Sequence, residues 1–393
     1  RHYMSEVTNY GERLTRAAIA ELPDGEWSFE DFIDDDGIDR GKLIRLHCTV
    51  TKSGDAIKVD WTGTSKQVKG AINCTLSFTK AVSYAAVRSI LPGDIPTNDG
   101  MFRVIEVTAP TGSILNMIPP AACAARGLTG FRMGDCVFGA LAMMLPDRVF
   151  AASDGGNTGV SIGGYDDDLK PFIFVDFACG SWGGRPWADG VQGNSNMFAN
   201  MACQSIEVIE AENPLQVRSY EFLPDRAGPG KFRGGAPYCR EYRFLDKEAV
   251  LQVRSDRRSV PPYGLYGGQP GRPSNNTLNP GPNAVPLDSK LTMNMKYGDV
   301  FRHELAGGGG WGDPIERSID KVLVDVRNGF VTVDGAKRDY GVSIDPQTGL
   351  VNEEKTNLLR SEIVAKRQTP TPRVTQPRPP EASEKNRQER GGL

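Results

Sequence analysis

Residues 307–339 read GGGGWGDPIERSIDKVLVDVRNGFVTVDGAKRD. Four glycines run into a tryptophan, an Asp-Pro pair and an amphipathic segment. The stretch is either a phosphate cradle or a place where backbone must pass close to backbone, and the choice decides the fold. Gly307, Gly309 and Gly312 satisfy G-x-G-x-x-G, with VFRHEL (300–305) before them and Asp334 near the ribose-binding distance. The flanks fail the test. A dinucleotide-binding strand is buried on both faces, yet Arg302, His303 and Glu304 occupy this one. Asp313-Pro314 inserts a turn where the helix should begin, and no Gly-Lys-Ser/Thr follows to make a P-loop. The glycines therefore read as structural. The helix beyond them is well punctuated, with Ser318 as N-cap, Asp320 in its first turn, Arg327 near its end and Gly329 to close it.

Working outward, 45 of 393 residues are glycine, above the usual ~7% and therefore a sign of many tight turns and short strands. In KLIRLHCTVTKSGDAIKVDWTG (42–63), apolar residues alternate on both sides of a KSGD turn, which predicts a hairpin. Residues 76–91 predict a helix, 102–110 a strand, and 134–147 a helix apolar nearly all round and so buried. From 150 to 306, short strands (PFIFVDFACG, SIEVIEA, LQVRSYEFL, CREYRFL, AVLQVRSD) alternate with Gly, Pro, Asn and Asp. The expected fold class is α+β, a β-rich mixed-sheet core with buried helices and a helical C-terminal segment. The expected divisions are 1–36, the end of an upstream helical region; 37–149, α+β; 150–306, β-rich; 307–366, the glycine loop and C-terminal helices; and 367–393, a disordered tail poor in apolar residues. In the opening segment Met4, Val7, Tyr10, Leu14 and Ala18 form the stripe of a helix already in progress, an expectation that the chain begins inside a larger protein.

Composition narrows the function. A net charge of -3 gives no electrostatic case for nucleic acid or an anionic membrane. No apolar run reaches the ~18 residues of a membrane span. The seven cysteines are scattered and never form C-x-x-C, which fits a reducing cytoplasm. GVSIG (159–163) matches a nucleophile elbow around Ser161, but GGYDDDLKP after it cannot start the required helix, so it reads as a glycine-rich hairpin loop. Only His2, His47 and His303 exist, none within a helical turn of another, and no metal ligands are assigned. The acidic runs at 34–36 and 166–168 lack calcium-loop spacing and read as solvated turns. The candidate substrate-pocket residues are Arg126 and Arg132 in AARGLTGFRMGD, Asp154 and Asn157 in SDGGNTG, and Arg185 and Asp189 in SWGGRPWADG. Fixed charges beside backbone-exposing glycines bind carboxylates or carbonyls, and serve structural ion pairs equally well.

Blocks along most of the chain carry a family resemblance: RAAIAELPDGEWSFEDFIDDDG (16–37), PAACAARGLTGFRMGD (120–135), GGRPWADGVQGNS (183–195), SDRRSVPPYGLYGG (255–268) and the closing 307–342. The chain resembles the hydantoinase B/oxoprolinase family, which includes B-type subunits of ATP-dependent hydantoinases and 5-oxoprolinases and the large subunit of acetone and acetophenone carboxylases. The resemblance implies the C-terminal part of a B-type subunit that works with an A-type partner in a hetero-oligomer. The partner handles Mg-ATP and phosphorylates a small cyclic amide, and the B-type protein completes the hydrolysis. It also implies a divalent metal whose ligands lie upstream of this chain. It carries over no catalytic residue. A ketone carboxylase subunit and a non-catalytic scaffold half are the alternative readings.

Overall fold

The computed structural model describes residues 1–166, 168–365 and 372–375. Helix α1 (His2–Ala20) leads into β1 (Gly25–Ile33), β2 (Ile44–Ser53) and β3 (Ala56–Asp60), an antiparallel set. After α2 (Leu76–Ser89) and the short α3 (Asp99–Phe102), β4 (Ile105–Thr108) joins β3 in parallel. One face of this sheet carries Leu46, Cys48, Val50, Ile57 and Val59, all buried. It packs under α4 (Arg126–Met144), which begins eight residues before the expected 134 because its first two turns also bury Leu128, Thr129, Arg132 and Met133. Within 1–36, β1 pairs along its whole length with β2 of the next segment.

The second half holds β5 (Thr158–Tyr165), β6 (Pro171–Ala178), α5 (Ile206–Glu212), β7 (Leu215–Phe222), β8 (Tyr238–Phe244), β9 (Glu248–Arg254), β10 (Gly264–Leu265), β11 (Asn275–Leu278), β12 (Val285–Leu287), β13 (Lys290–Lys296) and β14 (Val300–Glu304). They form sheets ordered β12-β11-β14-β8-β7 and β13-β9-β5-β6. The two share a core of Val160, Ile162, Phe174, Leu251, Val253 and Met295 from one with Tyr242, Phe244 and Phe301 from the other, the facing sides of alternating strands. The chain ends in α6 (Ile319–Arg327), α7 (Val333–Tyr340) and α8 (Glu353–Ala365), and β15 (Val374–Thr375) pairs with β10. The fold class is α+β, as expected. Ser318 caps α6 by accepting from the Lys321 N–H. Apart from 372–375, the expected tail at 367–393 lies outside the described residues.

Three local expectations need correction. SIEVIEA folds as α5 and not as a strand, with Ile209 alone turned into the core. Ser161 stands within β5, paired with Val175 and Gln252, and not in a loop. Asp34, Asp35 and Asp36 are buried, because their carboxylates cap backbone N–H groups, Asp36 alone accepting from Ile38, Asp39 and Gly70. In the other run Asp166 caps an exposed turn, and residue 167 lies outside the described set.

Between the two halves lies a layer of extended backbone that is neither helix nor sheet, and the opening stretch is its centre. The N–H groups of residues 307–310 donate to the carbonyls of Arg272, Gly235, Ala152 and Gln269, each on a different segment. A Cβ on any of these four glycines would stand far inside contact distance of another segment's carbonyl oxygen: for Gly307 1.9 Å from Arg226, for Gly308 2.1 Å from Trp182, for Gly309 1.9 Å from Tyr263 and for Gly310 2.1 Å from Pro229. The glycines are there for close approach of backbones. With all four N–H groups taken, none is left to cradle a phosphate. This layer also fixes the start of the site, because Ala152 donates to Tyr263, accepts from Gly309 and precedes Ser153 and Asp154.

Candidate functional site

Helix α4 presents two different faces. Along one run Gly127, Gly130 and Gly134, whose missing side chains admit aromatic rings: a Cβ on Gly130 would lie 2.6 Å from the Phe78 ring, and one on Gly134 would lie 1.9 Å from Phe198. Phe78 comes from α2 and Phe198 from the loop at 196–201. Between them opens a cleft of about 550 Å³ lined by Phe78, Ala81, Phe131, Met197, Phe198 and Asn200, among others. Its walls are hydrocarbon and aromatic, and Asn200 supplies the polar side chain.

The other face of α4 carries Arg132 and Asp135, both buried. Asp31 meets them because it alternates with Phe29 and Ile33 on the core side of β1. Arg132 reaches Asp31 at 3.1 Å and Asp256 at 3.2 Å, and also donates to the Phe32 carbonyl. Arg257 reaches Asp31 at 3.1 Å and Asp135 at 2.5 Å. Asp256 takes the Asp34 N–H at 2.9 Å and faces Lys290 at 3.5 Å. Arg257 holds φ at 68°, a backbone state that a long side chain adopts only when its surroundings hold it there. Burying ions costs several kcal/mol each, so this set persists through multiple mutual partners.

The network continues toward the cleft. Ser153 donates to Asp135 at 3.1 Å, Asn196 donates to Ser153 at 3.3 Å, and the Asn196 N–H donates to Asn157 at 3.1 Å. Asn196 in turn accepts the Phe198 N–H at 3.1 Å, and Asn157 contacts the Met201 sulfur at 3.2 Å. Ion pairs and cleft wall are therefore joined through one asparagine. Asp154 sits beside them, with Oδ1 accepting the Gly156 N–H at 3.4 Å and Oδ2 buried with no hydrogen-bond partner. Burial pushes the Asp154 carboxyl well above the usual carboxylate range, and Asp135 adds to it. Burial likewise raises Asp34 to about 6, with Asp256 adding to it. A buried carboxyl whose pKa is raised holds its proton to higher pH than a free one and can donate it there, and pKa values so displaced concentrate at functional sites.

Of the six expected residues, the structure brings Arg132, Asp154 and Asn157 together. Arg126 is exposed at the N-terminus of α4, with its guanidinium 5.7 Å from the Phe78 ring centre at the cleft rim. Arg185 and Asp189 belong elsewhere. Arg185 donates to the Asp189 carbonyl, and the Asp189 carboxylate takes a two-pronged bond from Arg317 at 2.6 and 2.8 Å and the Arg233 N–H at 2.9 Å. Arg317 and Arg233 both reach Asp325 of α6. Burial works to raise Asp189, but Arg317 outweighs it and holds the carboxyl below its usual range. This clamp fastens α6 to the glycine layer.

Asp31, Asp135, Asp256, Arg257 and Asn196 were not singled out from sequence. Two signals were present: Asp31 falls on the apolar phase of β1, and Asp135 follows Arg132 by one helical turn. Asp256 and Arg257 gave none, since they join only through long-range folding.

Among the described residues, no group of three or more His, Cys, Asp or Glu is gathered to hold a metal ion. The buried carboxylates Asp31, Asp135 and Asp256 face guanidinium or ammonium groups instead. These residues do not fit the divalent metal that the resemblance implies. Among the described residues no helix is long and apolar enough to cross a membrane.

A family model described as hydantoinase B/oxoprolinase matches residues 1–314. The chain is 36% identical over 368 residues to the putative B component of a D-/L-hydantoinase of Pseudomonas sp. (strain NS671), covering 90% of this chain and 62% of that protein. It is 28% identical over 374 residues to the beta chain of the caprolactamase of Pseudomonas jessenii, covering 91% and 63%. The crystal structure of the ATP-dependent caprolactamase from Pseudomonas jessenii superposes with a TM-score of 0.79 at 25% identity, covering 91% of this chain and 63% of that one. A nucleotide-free acetone carboxylase shares the fold, with a TM-score of 0.81 at 18% identity over 92% and 56%. The chain thus spans less than two thirds of the length of these relatives.

Proposed function

The chain belongs to the hydantoinase B/oxoprolinase family, and from that premise we propose that it is part of a B-type subunit of an ATP-dependent cyclic-amide hydrolase. Its partner is an A-type subunit that binds Mg-ATP and activates the amide by phosphorylation, and the pair works in the cytoplasm. The family relation carries this reading. Hydantoinase and caprolactamase are the activities named for its relatives, and both act on rings that contain an amide. Free thiols at all seven cysteines support a reducing compartment.

The cleft supports the same substrate class. A lactam ring holds its amide cis, with N–H and C=O on one edge and hydrocarbon on the other. An apolar cleft of about 550 Å³ with one carboxamide, Asn200, offers a complement to both edges. The Asn196 link to Arg132, Asp135 and Arg257 gives that wall a rigid backing, which positioning of a small substrate requires. The divalent metal and the ATP belong to the parts of the assembly outside the residues described here.

The test uses the full-length protein with its A-type partner. The expected result is ATP hydrolysis driven by 5-oxoproline, hydantoins or caprolactam and not by acetone or acetophenone with bicarbonate. The reverse pattern overturns the reading in favour of a ketone carboxylase.

A further inference from the structure

The apolar cleft has a cation at its mouth. Its lining is hydrocarbon, aromatic rings and the Asn200 carboxamide. Arg126 stands at the rim, with its guanidinium 5.7 Å from the centre of the Phe78 ring that forms one wall. The two arginines of α4 are held differently. Arg132 is buried and meets Asp31 and Asp256. Arg126 is exposed, and apart from the Phe78 ring its guanidinium reaches only the Cys123 carbonyl among the described residues, from Nη1 at a long 3.5 Å. Among those residues no carboxylate pairs with it. Stacking on Phe78 orders the side chain and leaves most of its N–H fork to an incoming acceptor.

The backbone beside it is open to the same space. Gly127 follows Arg126 and lines the cleft. A Cβ on it would meet the Phe131 ring at 3.8 Å, an ordinary contact, and its backbone is helical. Crowding therefore does not require this glycine, unlike Gly130 and Gly134, whose Cβ atoms would overlap Phe78 and Phe198. Glycine weakens a helix, and bare backbone on a cleft lining permits close approach of a ligand. The first turn of α4 has no acidic residue and its N-cap, Ala125, no capping side chain, so the positive end of the helix is left uncompensated beside Arg126.

Taking the cleft as the cyclic-amide site of the proposed function, we propose that Arg126 is a specificity-determining residue that receives a carboxylate carried on the substrate ring. The cleft then takes anionic cyclic amides in preference to neutral ones. A carboxylate cannot lie among the rings of Phe78, Phe131 and Phe198 without a counter-charge, so the hydrocarbon of the ring enters and the carboxylate stays at the mouth. There the Arg126 N–H groups donate to its oxygens in charge-assisted bonds. Water at the rim screens the pair, which keeps the preference moderate.

The test measures equilibrium binding to the full-length protein with its A-type partner by ligand-observed NMR. ATP is left out, which keeps the activating phosphoryl group out of the comparison. Two matched pairs are titrated: 5-oxoproline against pyrrolidone, the same ring without the carboxylate, and hydantoin-5-acetic acid against hydantoin. The carboxylated member of each pair should bind about 5-fold more tightly, the upper end for an exposed ion pair, and the difference should shrink as salt rises. Arg126→Gln should bring the carboxylated members to the level of the neutral ones and leave the neutral ones within about twofold of wild type, while Arg126→Lys should keep part of the preference. Equal affinity within the pairs, binding by neither member, or equal weakening of charged and neutral members by Arg126→Gln overturns the proposal. Failure of the hydrolase reading shows separately, as no ATP hydrolysis with any cyclic amide while the binding preference persists.

Discussion

Gly309 donates its N–H to the Ala152 carbonyl at 2.9 Å, and a Cβ on it would stand 1.9 Å from the Tyr263 carbonyl oxygen. The neighbour is backbone that is itself hydrogen-bonded, so it has no cheap way to yield. Gly309→Ala should lower stability by at least ~3 kcal/mol, the upper end of overpacking costs. Gly349, with open space around it, serves as control in a urea melt, although its φ of 69° carries a smaller strain of its own. Equal melts for wild type and Gly309→Ala would contradict the close-approach account.

Asp154 gives a pH signature. Its folded-state pKa lies above the unfolded value, so the folded protein binds more protons and stability falls as pH rises from about 4 upward. Asn has the same shape, keeps the oxygen that accepts the Gly156 N–H, and does not titrate. Relative to wild type, Asp154→Asn should therefore gain stability steadily as pH rises from 5 to 8. Chemical melts across that interval check it, and a constant difference between the two proteins would rule it out.

Asp189 separates structure from substrate binding. Replacing it with Ala strips Arg317 of one of its two carboxylate partners while the other, Asp325, remains. The expected loss is about 2–3 kcal/mol for an ion left partly unpaired. KM of the assembled enzyme should stay within twofold. A raised KM with an unchanged melting temperature would return Asp189 to the pocket.

Ala81 lies on α2, exposed, and lines the cleft. Ala81→Phe adds a ring to that space without entering the core, so the melting temperature should hold within about 2 °C for a surface change. KM for a cyclic amide should rise at least ~10-fold, the effect of about 1.4 kcal/mol. Unchanged kinetics would place the substrate elsewhere.

Sequence by itself determined what short-range physics governs. The period of two gave β2 and β3, the turn signals gave the strand-rich second half, and Ser318 marked the start of α6, because alternation and capping act over a few residues. The wrong flanks of residues 307–312 were enough to dismiss a phosphate loop. Sequence reasoning also picked Arg132, Asp154 and Asn157. It named Asp189 with them, which the fold places in a separate ion-pair clamp, since a charged residue beside glycines reads the same in either setting. SIEVIEA misled for a related reason: its apolar spacing suits a short strand as well as a two-turn helix. Only tertiary structure decided the partners. Asp31 and Arg257 are 226 positions apart and touch at 3.1 Å, and the four glycines are hydrogen-bonded to four separate segments. Such contacts follow from where the layers stack. A charge is buried when a distant element brings its counter-charge, and local pattern carries no record of which element that is.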